Sequence, residues 1–239
     1  SGRVTDINGA GMQVDEAAFT RLEARIDEWI DRQQAEGSPE RCAVVIAGSL
    51  PPGVSSEQLA SLVQRVRARR IACWLDTSGT ALEAGLAVPP SGVKPNEQEL
   101  ALWAGEPLES DAARQRALAS LVEHGIEQAL ISAGPEGVLW ASPGAETLRA
   151  RPPRMRVVST VCAGDTLLAA MLHGVLCHPT PTAAMRERIL RHATALSAEA
   201  VTHPGPGDPA APELETLQQH TSIETLASAE VATAGEPRP

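Results

Sequence analysis

Tyrosine is absent from these 239 residues, phenylalanine occurs once and tryptophan four times. The core must therefore be aliphatic, filled by Ala, Leu and Val, and a chain of this length can bury a sizeable one as a single unit. Excess positive charge is lacking too. Twenty Lys and Arg against thirty Asp and Glu leave a formal charge of −10, which argues against nucleic acid or an anionic membrane as partner. A phosphate can still be held locally by backbone N–H groups and one or two cations. No apolar run approaches the ~20 residues of a membrane span, and no signal-type segment precedes Ser1. Cys42, Cys73, Cys162 and Cys177 lack metal-type spacing and read as reduced thiols of a cytoplasmic protein. No internal repeat is present, and no G-x-G-x-x-G follows an early strand, which sets aside a dinucleotide dehydrogenase. The opening SGRVTDING carries no initiator Met, so a fragment or processed chain is expected.

What is there centres on Val157–Cys177, VVSTVCAGDTLLAAMLHGVLC. A tight Cys162-Ala163-Gly164-Asp165 turn of small residues meets an apolar segment with helical spacing: Leu167, Leu168, Met171, Leu172, Val175 and Leu176. Free N–H groups at such a helix start suit an anion, yet Asp165 puts a carboxylate beside them. The pairing makes chemical sense if Asp165 takes a proton from a hydroxyl while the N–H groups hold developing phosphoryl charge. A first-turn helix cap is the competing reading of Asp165.

The rest of the chain alternates strands and helices. Asp15 is positioned to cap a first helix, Ala43–Ala47 reads as a strand buried on both faces, and Ser55 caps a second helix. Ile71–Leu75 and Gln128–Ser132 read as further buried strands, with a short pair at Val138–Ala141 and Thr147–Ala150. Helices are expected over Asp111–Glu123 and Ala183–Val201. This pattern predicts a mostly parallel sheet covered by helices on both faces. The loops GSLPPG, DTSG, KPNEQE, SAGPEG and TVCAGD would then converge at the carboxyl ends of the strands. After residue 210 the composition shifts to Ser, Thr, Ala, Glu and Pro. A weak helix near Leu214–Gln219 and then a disordered tail are expected over 211–239.

In order along Val4–Pro209, the segments TDIN, AGSLPPG, LDTSG, VKPNEQE, SAGPEG, RPPRMRVVSTVCAGDT and HPGPGDP resemble the phosphofructokinase-B (ribokinase-like) carbohydrate kinases. Within that family they look most like the 1-phosphofructokinase branch. The resemblance implies a ribokinase-like three-layer α/β/α sandwich over residues 1–210, ATP and Mg²⁺ as cofactors, and phosphorylation of a sugar phosphate. Fructose 1-phosphate is the first expectation, with tagatose 6-phosphate or another hexose phosphate as rivals. Asp165 matches the family's base, and Ala163, Gly164 and the Asp165 backbone match its anion hole. Cys162 stands where family members usually have Gly, so the backbone there is expected to take angles that a residue with a Cβ can adopt; it adds a thiol beside the phosphate, is expected to be tolerated, and has no nucleophilic role.

Asn96 and Glu99 match the N-x-x-E motif that organises Mg²⁺ through water; an ordinary capping box accounts for the same spacing. Ser132, Gly134 and Gly137 match the loop beneath the nucleotide, against the alternative of a plain hairpin turn. Gly205 and Gly207 match the loop over the adenine, or simply stop a helix. Lys94 is either a phosphate contact or, in the commoner case, a solvated lysine. Ser49 matches a residue near the sugar-phosphate pocket, or a turn residue. The strands, β lid and sugar-gripping motifs that open the family pattern are not matched in this chain. Their lack would uncover apolar sheet edge. Family dimers form through the lid, so a homodimer is expected only of a full-length form. A nucleotide-binding module without catalysis is the alternative from another class.

Overall fold

In the computed structural model, residues 11–226 are described, and they form one seven-stranded sheet in the order β1 to β7. The strands are β1 (Ala43–Ala47), β2 (Ala72–Asp76), β3 (Gly92–Val93), β4 (Gln128–Ser132), β5 (Val138–Ala141), β6 (Thr147–Arg151) and β7 (Ser222–Leu226). Strands β1 to β4 are parallel neighbours, and β5, β6 and β7 follow as antiparallel pairs. Strand β6 thus runs with β1 to β4, and its carboxyl end reaches the same sheet edge as theirs.

That order decides where the helices lie. Right-handed crossovers that always step the same way along a sheet place their helices on one face. Helices α2 (Ser56–Ala68), α3 (Gly79–Leu86), α4 (Glu97–Ala104) and α5 (Asp111–Glu123) accordingly share one core with α1 (Glu16–Ala35). Helices α6 (Ala163–Cys177), α7 (Ala183–Ala200) and α8 (Leu214–His220) cover the opposite face. The strands serve both cores by alternation. Cys73 and Leu75, Ala129 and Ile131, and Leu139 face the α1–α5 side. Trp74, Leu130, Val138 and Trp140 face the α6–α8 side. Both faces being buried explains why these strands read as near-continuous apolar runs.

Local sequence signals account for most element ends. The Asp15 carboxylate accepts from Ala18 N–H at 2.7 Å, and Ser55 and Gln58 form a reciprocal capping box. Thr182 caps α7 through Met185 N–H.

Two expectations are corrected. Strand β1 is not buried on both faces: it is an edge strand among the described residues, with Val45 39% exposed and a groove beside it lined by Ile26, Trp29 and Val44. The tail expected to be disordered contains strand β7. Its Ile223 and Leu226 face the two cores, its Glu224 pairs with Arg151 at 2.7 Å, and Leu214 and Leu217 of α8 are buried in the α6–α8 core. The folded unit therefore continues past residue 210. Residues 1–10, including TDIN, and 227–239 lie outside the described residues.

Strand β6 is tied to α5 through Arg149, only 1% exposed, which makes a two-pronged ion pair with Asp111 at the start of that helix. Arg149 and Arg114 hold the Asp111 carboxyl below the usual carboxylate range. A depressed folded-state pKa gives stability that is present above the unfolded value and lost as pH falls through the folded one. Asp111→Asn is expected to lower stability at neutral pH by about 2 kcal/mol, less than for a fully buried pair because Asp111 is half exposed. Urea unfolding should show this difference from wild type shrinking as the pH is taken below about 4.

Candidate active site

Each parallel strand hands its chain to a loop at the carboxyl edge, and those loops are tied together. Gly48 N–H donates to Asp76 O at 2.9 Å, linking the β1 and β2 exits. Lys94 N–H donates to Leu75 O at 3.0 Å, and Ser132 N–H to Pro95 O at 3.1 Å, extending the chain of contacts to β3 and β4. Asn96 forms an isolated parallel bridge with Ser132. Four of the five polar loops are thereby held side by side.

The fifth arrives from the other face. Residues 152–162 leave β6 at the carboxyl edge and are held by Val158 N–H on Val201 O at 2.7 Å. Helix α6 then begins at this edge, where Ser197 Oγ donates to Ala163 O at 2.9 Å. No side chain caps α6, and the Thr166 N–H already satisfies Cys162 O at 2.8 Å. Ala163 N–H makes a long bond to Thr160 O at 3.4 Å, and the N–H groups of Gly164 and Asp165 after it stay open among the described residues, the kind of helix end that holds an anion. Asp165 is exposed on that turn.

Beneath it lies Lys94. This side chain is not solvated, as its residue type alone suggests, but 4% exposed, with Nζ 3.0 Å from Asp76 Oδ2. A Cβ on Gly164 would stand 3.4 Å from the same Nζ, so the ammonium sits against the α6 start and a side chain there would crowd it. Burial pushes the Asp76 carboxyl up; Lys94 opposes that rise, and nearby Asp165 adds to it. Asp76, read from sequence only as part of a loop, is thus the partner that keeps a buried cation beside the α6 start. The signal that could have found it is weak: an acidic residue at a strand end, with a Lys at the end of the next strand.

The backbone expected at Cys162 is corrected: the residue takes a left-handed conformation, φ +67°, at the N-cap of α6. This is the conformation glycine adopts freely and a residue with a Cβ rarely does. Asn96 Oδ1 accepts from Glu99 N–H at 2.9 Å, while Glu99 Oε2 accepts from Asn96 N–H at 2.8 Å. The capping box is therefore formed. It leaves the other Glu99 oxygen without a hydrogen bond among the described residues, and a hard oxygen of this kind fits water-mediated contact with Mg²⁺. Among the described residues no group of three His, Cys, Asp or Glu forms a direct metal cage.

The remaining positions divide. Ser132 ends β4 and Gly134, φ +51°, opens the 3-10 turn Gly134–Glu136 with free space around it. Gly137 is explained by the fold instead of by a ligand: a Cβ would stand 1.8 Å from Ala150 O of β6. Ser49 is exposed just beyond the Gly48–Asp76 contact. Gly205 lies in an open loop, whereas Gly207 is wedged against Leu196 and Thr166 and donates its N–H to Thr166 Oγ1 at 3.0 Å.

An open helix start with an adjacent carboxylate, on the carboxyl edge of a sheet covered on both faces, has the layout that phosphoryl-transfer enzymes use. Comparison with known proteins gives the family. Residues 26–214 match the pfkB family of carbohydrate kinases, and the chain belongs to that family. It is 40% identical over 226 residues to a 1-phosphofructokinase of Vibrio cholerae serotype O1, covering 95% of this chain and 67% of the relative. It is 34% identical over 223 residues to 1-phosphofructokinase of Escherichia coli K12, covering 93% and 67%. Among solved structures it resembles phosphofructokinase-2 of E. coli in complex with potassium, with TM-score 0.73 and 28% identity over 87% of this chain and 63% of that one. The chain thus spans about two thirds of the length of these proteins. Among the described residues no helix is long and apolar enough to cross a membrane.

Replacing Cys162 by Gly is expected to stabilise the fold by about 1 kcal/mol, by releasing a left-handed residue from its Cβ clash. A urea titration monitored by tryptophan fluorescence measures it. An unchanged or lower midpoint would mean that the Cys162 side chain returns as much in contacts as the conformation costs.

Proposed function

We propose that this chain is the nucleotide-binding and catalytic part of an ATP-dependent sugar-phosphate kinase, with fructose 1-phosphate converted to fructose 1,6-bisphosphate. The observation that carries the reading is Asp165 on the first turn of an uncapped helix, above the buried Lys94–Asp76 pair. The similarity to two proteins named 1-phosphofructokinase supports the choice of sugar.

In this reading Asp165 accepts the proton of the attacking sugar hydroxyl as its oxygen bonds to the γ-phosphorus. The bond from that phosphorus to the bridging oxygen of ADP breaks in line, and no covalent enzyme intermediate is needed. The N–H groups of Ala163, Gly164 and Asp165 take up charge spreading onto the transferred group. Lys94, fixed by Asp76, adds positive potential from below and needs no reorganisation when that charge develops. Mg²⁺, held by phosphates and by waters that Asn96 and Glu99 orient, would supply further neutralisation. Ser132 and Gly134 line the nucleotide side, with Gly205 in the loop opposite, and Ser49 lies towards the sugar.

The test is an ADP-release assay with fructose 1-phosphate, fructose 6-phosphate and tagatose 6-phosphate, beside calorimetry with a non-hydrolysable ATP analogue. Asp165→Asn is expected to lower turnover roughly 100- to 10,000-fold while nucleotide affinity changes only a few-fold. Preference for another sugar would replace fructose 1-phosphate in the assignment. Nucleotide binding with no turnover on any sugar would make the chain a binding module and sink the catalytic reading.

A further inference from the structure

The segment His203-Pro204-Gly205-Pro206-Gly207-Asp208 is anchored by a carboxylate that the phosphoryl-transfer reading leaves unused. Glu199, in the last turn of α7, is 2% exposed. Its Oε1 is 2.7 Å from His203 Nε2 and its Oε2 accepts from Asp208 N–H at 2.8 Å, so one buried side chain holds both ends of the loop. Thr202 Oγ1 donates to the Glu199 carbonyl at 2.8 Å, fixing the turn that leads into it. Between the two anchors, Gly207 N–H donates to Thr166 Oγ1, and Thr166 follows Asp165 directly. The other ring nitrogen of His203, Nδ1, faces Pro204 O at 3.3 Å. Both ring nitrogens therefore meet acceptors, an arrangement that only the doubly protonated imidazolium satisfies.

We propose that Glu199 and His203 form a proton-dependent tether that positions the 203–208 loop against the start of α6, making Glu199 a positioning residue for nucleotide binding. This rests on the reading of that helix start as the phosphate site. The charged groups that act on His203 are acidic: Glu199 on α7, and Glu213 on the segment entering α8. Of these, the Glu199 hydrogen bond contributes most to raising the His203 pKa above the ordinary imidazole value, and Glu213 adds to it. With the folded-state value raised, the tether is fully made below the ordinary imidazole pKa and loosens as pH climbs through the raised one.

Two measurements test it, each with wild type, Glu199→Gln and His203→Gln. The first follows the histidine ring C–H signals by NMR, the His203 signal being the one missing from His203→Gln. In wild type it should titrate above the other exposed histidines, and in Glu199→Gln it should fall back among them. The second is calorimetric binding of a non-hydrolysable ATP analogue from about pH 6.5 to about pH 9. Wild-type affinity should weaken roughly 3- to 10-fold across that range, the scale of one charged hydrogen bond partly lost. Both variants should be weak throughout, with a flat profile. His203 is partly exposed, so its replacement tests the tether even if Glu199→Gln does not fold. Titration of His203 in the ordinary range, or a wild-type pH profile shared by His203→Gln, overturns the tether. Failure of wild type to bind nucleotide at any pH, with His203 still titrating high, overturns the kinase reading and leaves the tether standing.

Discussion

One buried ion pair organises the working edge of this protein. Lys94 leaves a strand of only two residues, β3, yet both its main chain and its side chain are attached to β2: its N–H to Leu75 O, and its Nζ to Asp76. A two-residue strand has little pairing of its own to hold its exit loop in place. The pair supplies that fixation and leaves a cation directly under the first turn of α6. Removing either member would strand a buried charge, a far larger disturbance than the loss of an exposed pair. The edge is therefore organised before any ligand arrives, as the proposed catalytic role requires of fixed charges.

The topology makes that placement possible. Because β1 to β4 advance in one direction, their crossover helices occupy one face and leave the other for α6 to α8. Helix α6 can then bring its N-terminus to the carboxyl edge without competing with α2 to α5. Strand β6 runs in the same sense as β1 to β4, so the segment entering α6 starts from the correct edge. Ser197 and Val201 on α7 and its exit hold that segment, and Glu199, from the same turn of helix, holds the loop that closes the other side. One end of α7 thereby braces both flanks of the α6 start.

What could be read from sequence was what local chemistry decides. Asp15, Ser55 and Asn96 announced their helices because a capping side chain acts within three residues. The strands β1 and β4 were bounded correctly because apolar runs between turn residues leave little choice. The ordered set of loops identified the family. Missed were features decided by distant partners. Lys94 is buried because Asp76 lies across a strand boundary, and Gly137 is required by β6, a contact between hairpin arms. Strand β7 exists because β6 offered an edge and Arg151 a partner for Glu224, in a stretch whose composition alone argued against order. Glu199 had no motif to mark it, and His203 stood only as the first residue of HPGPGDP, with nothing local to join the two.

The most direct test of the account is a crystal structure of the chain with a non-hydrolysable ATP analogue, Mg²⁺ and fructose 1-phosphate. The account predicts the terminal phosphate over the N–H groups of Ala163, Gly164 and Asp165. It also predicts an Asp165 carboxylate oxygen within hydrogen-bond reach of the sugar hydroxyl that faces that phosphate, and Lys94 Nζ still on Asp76. A nucleotide seated away from the α6 start, or a sugar hydroxyl aligned with the phosphate but approached by a base other than Asp165, would contradict it.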